Sequence, residues 1–261
     1  MALKIFTNLS SLNSQRAMSI NNARLGSSLE RIASGIRLQR SSDDIAAMSV
    51  SESLRGDVTA LRQGGKNLAD GMSMIDTADG AVSEQATILI RLREIASQSA
   101  TGTIGNVERA TLNMEFSALR TEFDRIAATT EFNGRKLLDG TLASSSGDTT
   151  VIQIGIDSGE DSRFNLNKEI DLTATTSSKL GFDSDNITTD TAALKAMGNL
   201  TSAIEKLSSI RGKIGAVQER LEYSKAALDA TVENMSGAIS TMRDADFAEE
   251  FAGLTRNQIL V

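Results

Sequence analysis

The chain has 261 residues, 40% of them hydrophobic but only 3% aromatic and none Trp, so its apolar surface is aliphatic and suits slender helix packing better than a thick globular core. His and Cys are both absent, which removes imidazole acid/base chemistry, thiolate nucleophiles, disulfides and the usual zinc and transition-metal ligand sets, and with them most enzyme templates, while carboxylate-only hydrolysis stays open. With 34 acidic against 27 basic residues the net charge is -7, which opposes nucleic acid and anionic membrane as partners.

Taken in chain order, the first twenty residues lack the continuous apolar stretch of a secretory signal, and no segment is apolar enough to span a bilayer. Export, if it occurs, takes another route. Leu9, Leu12, Leu25, Leu29, Ile32 and Ile36 form an amphipathic stripe with no obvious partner in the same chain, so the stripe is expected to need another surface. Ser41-Ser42-Asp43-Asp44 reads as a helix start, its carboxylates better explained by capping and the helix dipole than by paired catalysis. From Leu54 the spacing of four and three runs through Val58, Leu61, Gly65, Leu68, Met72 and Ile75 and on through Val82, Ala86, Leu89 and Leu92. Pro is absent, so nothing forces a kink, and a helix from about Asp43 to Ser99 would run roughly 80 Å at 1.5 Å per residue. TGTIGN (Thr101 to Asn106) predicts a reversal, after which Leu112, Phe116, Leu119, Phe123 and Ile126 predict a second helix folding back, stopped at EFNG (Glu131 to Gly134) by the left-handed geometry of Asn-Gly.

From about Thr141 the composition turns to Ser, Thr, Asp and Gly. Ile152, Ile154 and Ile156 alternate before the turn-like DSGED, and Phe164 and Leu166 alternate after it, which favours a β-hairpin over the other reading of this stretch, disordered linker. Heptads return at Leu200, Ile204 and Leu207 and, after a phase shift, run from Ile210 through Ile214, Val217, Leu221 and Leu228 to Met242, a single long helix. Phe247, Phe251, Leu254 and Ile259 make a last stripe still running when the chain stops, so a cut terminus is expected, with Val261 not native. The predicted fold is mainly α: a long antiparallel helical bundle or coiled-coil rod with one small β-hairpin excursion. It divides into terminal segments 1–42 plus 246–261, a helical rod 43–140 plus 190–245, and a polar excursion 141–189.

Motifs for binding chemistry are weak. DSGEDSRFNLNK from Asp157 begins like a calcium loop, but Ser162 stands where Gly is needed and Lys168 where the bidentate Glu belongs, so a hairpin turn is expected. GGK (Gly64 to Lys66) and RGK (Arg211 to Lys213) lack phosphate-loop spacing and are read as close-packing glycines. Asn8, Asn186, Asn199 and Asn234 open Asn-x-Ser/Thr triplets, which occur often by chance. No cofactor is called for.

TNLSSLNSQR (Thr7 to Arg16) and SLERIASGIRLQRSSDDIAAMSVSESLR (Ser28 to Arg55) resemble the amino-terminal signature of bacterial flagellin. NLADGMSMIDTADGA (Asn67 to Ala81), LREIASQSATGT (Leu92 to Thr103) and TEFNG (Thr130 to Gly134) extend the likeness, and IRGKIGAVQERLE (Ile210 to Glu222) and MRDADFAEEFAGLTRNQIL (Met242 to Leu260) resemble its carboxyl-terminal signature. The resemblance covers nearly the whole chain apart from the polar middle, and is that of a short member whose excursion replaces outer variable domains. It departs from the family where the chain stops, about two dozen residues short of the usual Gln-rich helix, which implies either a cut terminus or an unusual inner domain.

The resemblance implies a structural filament subunit, not an enzyme, located in the extracellular filament and self-assembling through the terminal stripes: Leu9, Leu12, Leu25, Leu29, Ile32, Ile36, Phe247, Phe251, Leu254 and Ile259. It implies as further partners a flagellar export chaperone and the type III export apparatus, the hook-associated and cap proteins, and the vertebrate Toll-like receptor for flagellin, met through Arg91, Ile95 and Glu115. Arg91 and Glu115 are equally readable as an ordinary surface pair. The alternatives are a hook-filament junction protein, which shares the terminal helices, and a non-polymerising rod such as a type III secretion tip or translocator component.

Overall fold

The computed structural model describes residues 8–147 and 149–260. Thr7, where the first motif begins, and Val261 lie outside them. Helix α1 (Leu9–Ser34) starts at Asn8, whose Oδ1 accepts the backbone N–H groups of Ser10 and Ser11 at 3.1 and 3.2 Å, and ends at Gly35 in the left-handed region, φ +71°. Helix α2 (Ile45–Ser99) runs 55 residues, and Asp44 does the capping expected of it, accepting from Ala47 N at 3.0 Å. Helix α3 (Asn106–Thr129) follows the TGTIGN reversal. At EFNG the structure adds a two-residue ladder, β1 (Glu131–Phe132) against β2 (Arg135–Lys136), with Asn133 and Gly134 both at positive φ, 50° and 78°.

The predicted hairpin is β3 (Val151–Gln153) paired antiparallel with β4 (Arg163–Asn165), Ile152 opposite Phe164. It is shorter than the alternation implied. The turn begins at Gly155, so Ile156 lies in it, 46% exposed, and Leu166 opens helix α4 (Leu166–Ile170). Short helix α5 (Ser177–Leu180), then α6 (Asp190–Arg243, 54 residues) and α7 (Phe247–Leu260) complete the chain. Among the described residues no helix is long and apolar enough to cross a membrane, and no cluster of three or more acidic residues is placed to hold a metal.

The chain forms two compact units, 60–229 and 1–59 with 230–261. In the first, α2 supplies a seam of Leu61, Leu68, Ile75, Val82, Leu89 and Leu92, α3 supplies Phe116 and Phe123, and α6 supplies Leu200, Leu207, Ile214 and Leu221, all buried. The segment read as a polar excursion is built into this core. Leu142, Ile170, Leu172, Leu180, Phe182 and Ile187 are 4% exposed or less, and the Phe182 ring meets Phe123 edge to face at 5.2 Å.

Residues 171–189 form a strap whose backbone groups are met by side chains of the long helices. Gln85 Nε2 donates to Thr175 O (3.1 Å) and Lys206 Nζ to Leu180 O (3.0 Å). Asp124 accepts from the Ser177 backbone (2.7 Å) and hydroxyl (2.6 Å), Ser99 Oγ donates to Ile187 O (2.6 Å), and Asn113 Oδ1 accepts from Ile187 N (3.0 Å). An irregular segment can be buried only when its peptide groups find such partners, and here polar residues on α2, α3 and α6 provide them.

Several predicted core positions differ, Met72 and Ile204 being only half-buried. Gln85 rather than Ala86 faces the core, fully buried, because it is needed as a donor to the strap and to Phe123 O at 3.2 Å. Gly212, read as a close-packing glycine, has open space around it, whereas Gly64 is packed tightly.

Candidate assembly surfaces

In the unit containing both ends, α1 and α7 lie antiparallel. Asn21 Nδ2 donates to Leu260 O at 3.3 Å, a Cβ on Gly253 would meet Ser28 Oγ at 3.9 Å, Arg31 pairs with Glu250 at 3.1 Å, and a Cβ on Gly35 would meet the Phe247 ring at 3.9 Å. Each pair of numbers sums to nearly the same value, which defines one continuous register. Charge favours it: residues 8–42 carry five arginines against Glu30, and residues 244–260 carry four carboxylates against Arg256. At the base of the pair the chain is clamped by Arg37 N to Arg243 O (2.7 Å), Ala245 N to Gly35 O (2.9 Å) and Arg37 Nη2 to Met242 O (2.7 Å).

The expectation that the amino-terminal stripe has no partner within the chain is therefore corrected in part: α1 does pair with α7. The two helices meet through small and polar residues, Ser28 against Gly253, so the contact leaves most of the large apolar side chains out. Leu25, Ile32, Ile36 and Leu254 are half-buried. Leu9 is 66% exposed, Leu12 48%, Leu29 47%, Phe247 52%, Phe251 50% and Ile259 79%. The Phe247 and Phe251 rings stack on each other at 6.5 Å and face outward together, an unusual use of two of the eight Phe residues of the chain. Met18 and Ile20, absent from the predicted stripe, are also exposed on α1. Their signal in the sequence was only two large apolar residues among Ser and Asn. Two paired helices of the described residues thus leave a run of large apolar side chains open to water.

On the other unit, Arg91 and Glu115 come together as expected. Arg91 Nη2 meets Glu115 Oε1 at 2.9 Å and Arg91 Nη1 meets Glu94 at 3.2 Å, and these two carboxylates, Glu115 first, hold the guanidinium above its ordinary pKa. Ile95 does not join them at the surface. It is 1% exposed, since it follows Leu92 by three on the buried side of α2.

Residues 5–143 match the bacterial flagellin N-terminal helical region and residues 197–261 the bacterial flagellin C-terminal helical region. The flagellin of Halalkalibacterium halodurans is 38% identical over 253 residues, spanning 97% of this chain and 90% of that protein. The flagellin of Bacillus subtilis is 36% identical over 294 aligned positions, 99% of this chain and 92% of that protein. The crystal structure of Bacillus cereus flagellin superposes with a TM-score of 0.53 at 29% identity, covering 67% of this chain and 94% of that one. Long paired helices with unsatisfied terminal faces, matched at both ends and over nearly the whole length, place this chain in the bacterial flagellin family, the structural subunits of the flagellar filament that lies outside the cell, and not among enzymes.

Proposed function

We propose that copies of this chain polymerise through the exposed faces of α1 and α7, and that these two helices gain their full order only when neighbouring copies cover them. The carrying observation is the half-dry α1/α7 pair: one continuous register, joined by an ion pair and small residues, with Leu9, Leu12, Leu29, Phe247, Phe251 and Ile259 left in water. A helix pair that buries so little of its own apolar surface is weakly held alone, because conformational entropy opposes it at about 1 to 2 kcal/mol per residue. Burial by neighbours, at roughly 25 cal/mol per Å², supplies what the monomer lacks, and a helical array repeats each contact without closing. In this reading residues 1–42 with 246–261 face the filament axis, and residues 43–140 with 190–245 and the 141–189 segment form the rest of the subunit. Passage through the type III export apparatus with its chaperone, and capping by hook-associated and cap proteins, belong to the same reading.

The test is backbone hydrogen exchange before and after polymerisation. Residues 9–34 and 247–260 are expected to exchange quickly in the monomer and to become strongly protected in the polymer, while α2 and α6 between 60 and 229 stay protected in both. Equal protection of the ends in the monomer sinks the coupled-folding reading.

A second reading is favoured by the Arg91 pair. We infer that Arg91 and Glu115 present a charged, solvent-open surface to the Toll-like receptor for flagellin, with Ile95 shaping it from beneath. Loss of receptor affinity in Arg91→Ala is the expected result, and unchanged affinity ends this reading.

A further inference from the structure

The β3–β4 hairpin does not simply lie on α2; its contact is cut to fit. A Cβ built on Gly64 falls closer than 3.0 Å to the backbone carbonyl oxygen of Ile154, and a Cβ built on Gly71 falls closer than 3.0 Å to Ile152 Cδ1. Between them Asn67 Nδ2 donates to Gln153 O at 3.0 Å, with Asn67 Oδ1 itself accepting from Gln63 Nε2 at 3.1 Å. Gly64, Asn67 and Gly71 share one face of the helix at spacings of three and four. Both glycines are buried, although helix interiors disfavour glycine by leaving backbone entropy to be lost.

We propose that Gly64, Asn67 and Gly71 are positioning residues forming a slot with a single register, so that the hairpin is keyed to α2 and moves with it as one piece. The sequence of α2 excludes the neighbouring registers. Sliding the hairpin by one turn sets Leu68 and Ile75, or Ala60 and Asn67, beneath Ile154 and Ile152. Sliding it by two turns one way sets Asp57 and Gly64 there, a side chain where the Ile154 backbone must touch, and the other way sets Gly71 and Ala78, which puts the Ala78 methyl against the Ile152 side chain. Any rearrangement of the subunit as a filament bends is therefore displaced to contacts other than this one, a consequence that rests on the filament reading above. The slot itself does not.

The test uses the whole chain as a monomer, so its outcome is independent of polymerisation. Gly80 sits on the same helix with nothing within 4 Å of a built Cβ and serves as the control. Gly80→Ala is expected to raise Tm, as alanine does in an open helix site. Gly64→Ala and Gly71→Ala are expected to lower it, and to speed hydrogen exchange at residues 151–153 and 163–165 more than tenfold. Ile152→Val removes the Cδ1 atom in the way, so Gly71→Ala with Ile152→Val recovers most of the loss. No side-chain change rescues Gly64→Ala, because the obstructing atom is a backbone oxygen. Should Gly64→Ala melt too low to measure, Asn67→Ala gives the same answer: faster exchange in the hairpin with the core of α2 unchanged. A rise in Tm for Gly64→Ala matching that of Gly80→Ala, or hairpin exchange unaltered in Asn67→Ala, overturns the proposal.

Discussion

Phe182 tests whether the strap at 171–189 is core or covering. Its ring is fully buried and meets Phe123 edge to face at 5.2 Å and 77° between planes. Truncating a buried Phe to Ala costs about 3 to 5 kcal/mol, of which the aromatic pair accounts for about 0.5 to 1.5. Because the strap's carbonyls at Thr175 and Leu180 are separately held by Gln85 and Lys206, the segment cannot simply collapse into the space, and a cost of about 4 kcal/mol is expected. Urea unfolding followed by helical circular dichroism reads this as a drop in midpoint with little change in slope. A double-mutant cycle of Phe182→Leu with Phe123→Leu is expected to return a coupling of about 1 kcal/mol. A cost under about 1 kcal/mol for Phe182→Ala, or strict additivity in the cycle, refutes the packing argument and returns the strap to the status of a surface linker.

Asn167, 2% exposed, donates to Thr141 O and Ala143 O and accepts from Thr150 N; Ala143 O also accepts from Ser146 N, so Asn167→Ala strands Thr141 O and Thr150 N and is expected to cost about 2 kcal/mol or more in the same urea assay. The Asp171 carboxyl is held below its ordinary pKa, chiefly by the Ser144 hydroxyl, then by the Ser144 N–H at 2.9 Å. Its folded value lies below its unfolded one, so its contribution is complete above the usual carboxylate range and fades as pH falls through the folded value. Exchange at Ser144 N–H is expected to quicken on acidification below that range, and Asp171→Asn, which tolerates the φ of 45° there, removes the pH dependence. Arg91→Ala opens two exposed surface ion pairs, so Tm is expected to stay unchanged while receptor affinity falls.

The long helices were legible because burial there is periodic. The four-three rhythm from Leu54 marked α2 and the Ser-Ser-Asp-Asp cap placed its start within two residues, while Ile95, three past Leu92, lies with Ala96 on the buried side and so is not a surface contact. The strap was not legible, because its burial is carried by isolated residues, Leu172, Leu180, Phe182 and Ile187, among Ser, Thr and Asp whose polarity reads as linker. Those polar groups are instead partners in backbone hydrogen bonds supplied by helices distant in sequence, and no local pattern encodes such pairing. The α1/α7 partnership was hidden for a similar reason: it rests on Ser28, Gly253 and one ion pair, not on matched apolar stripes. The ladder at Glu131 to Lys136 was half visible, since Asn-Gly marks a turn but the flanking residues do not alternate.

The central claim is that the apolar faces left open on α1 and α7 are covered by other copies of this chain. Seeded polymerisation measured by sedimentation and electron microscopy, comparing the protein with Leu29→Asp and Phe251→Asp variants, tests it most directly. Both variants are expected to keep the unfolding transition of residues 60–229 and to lose elongation from seeds, since each sets a charge on a face that must become dry. Elongation at the unaltered rate by both variants contradicts the account.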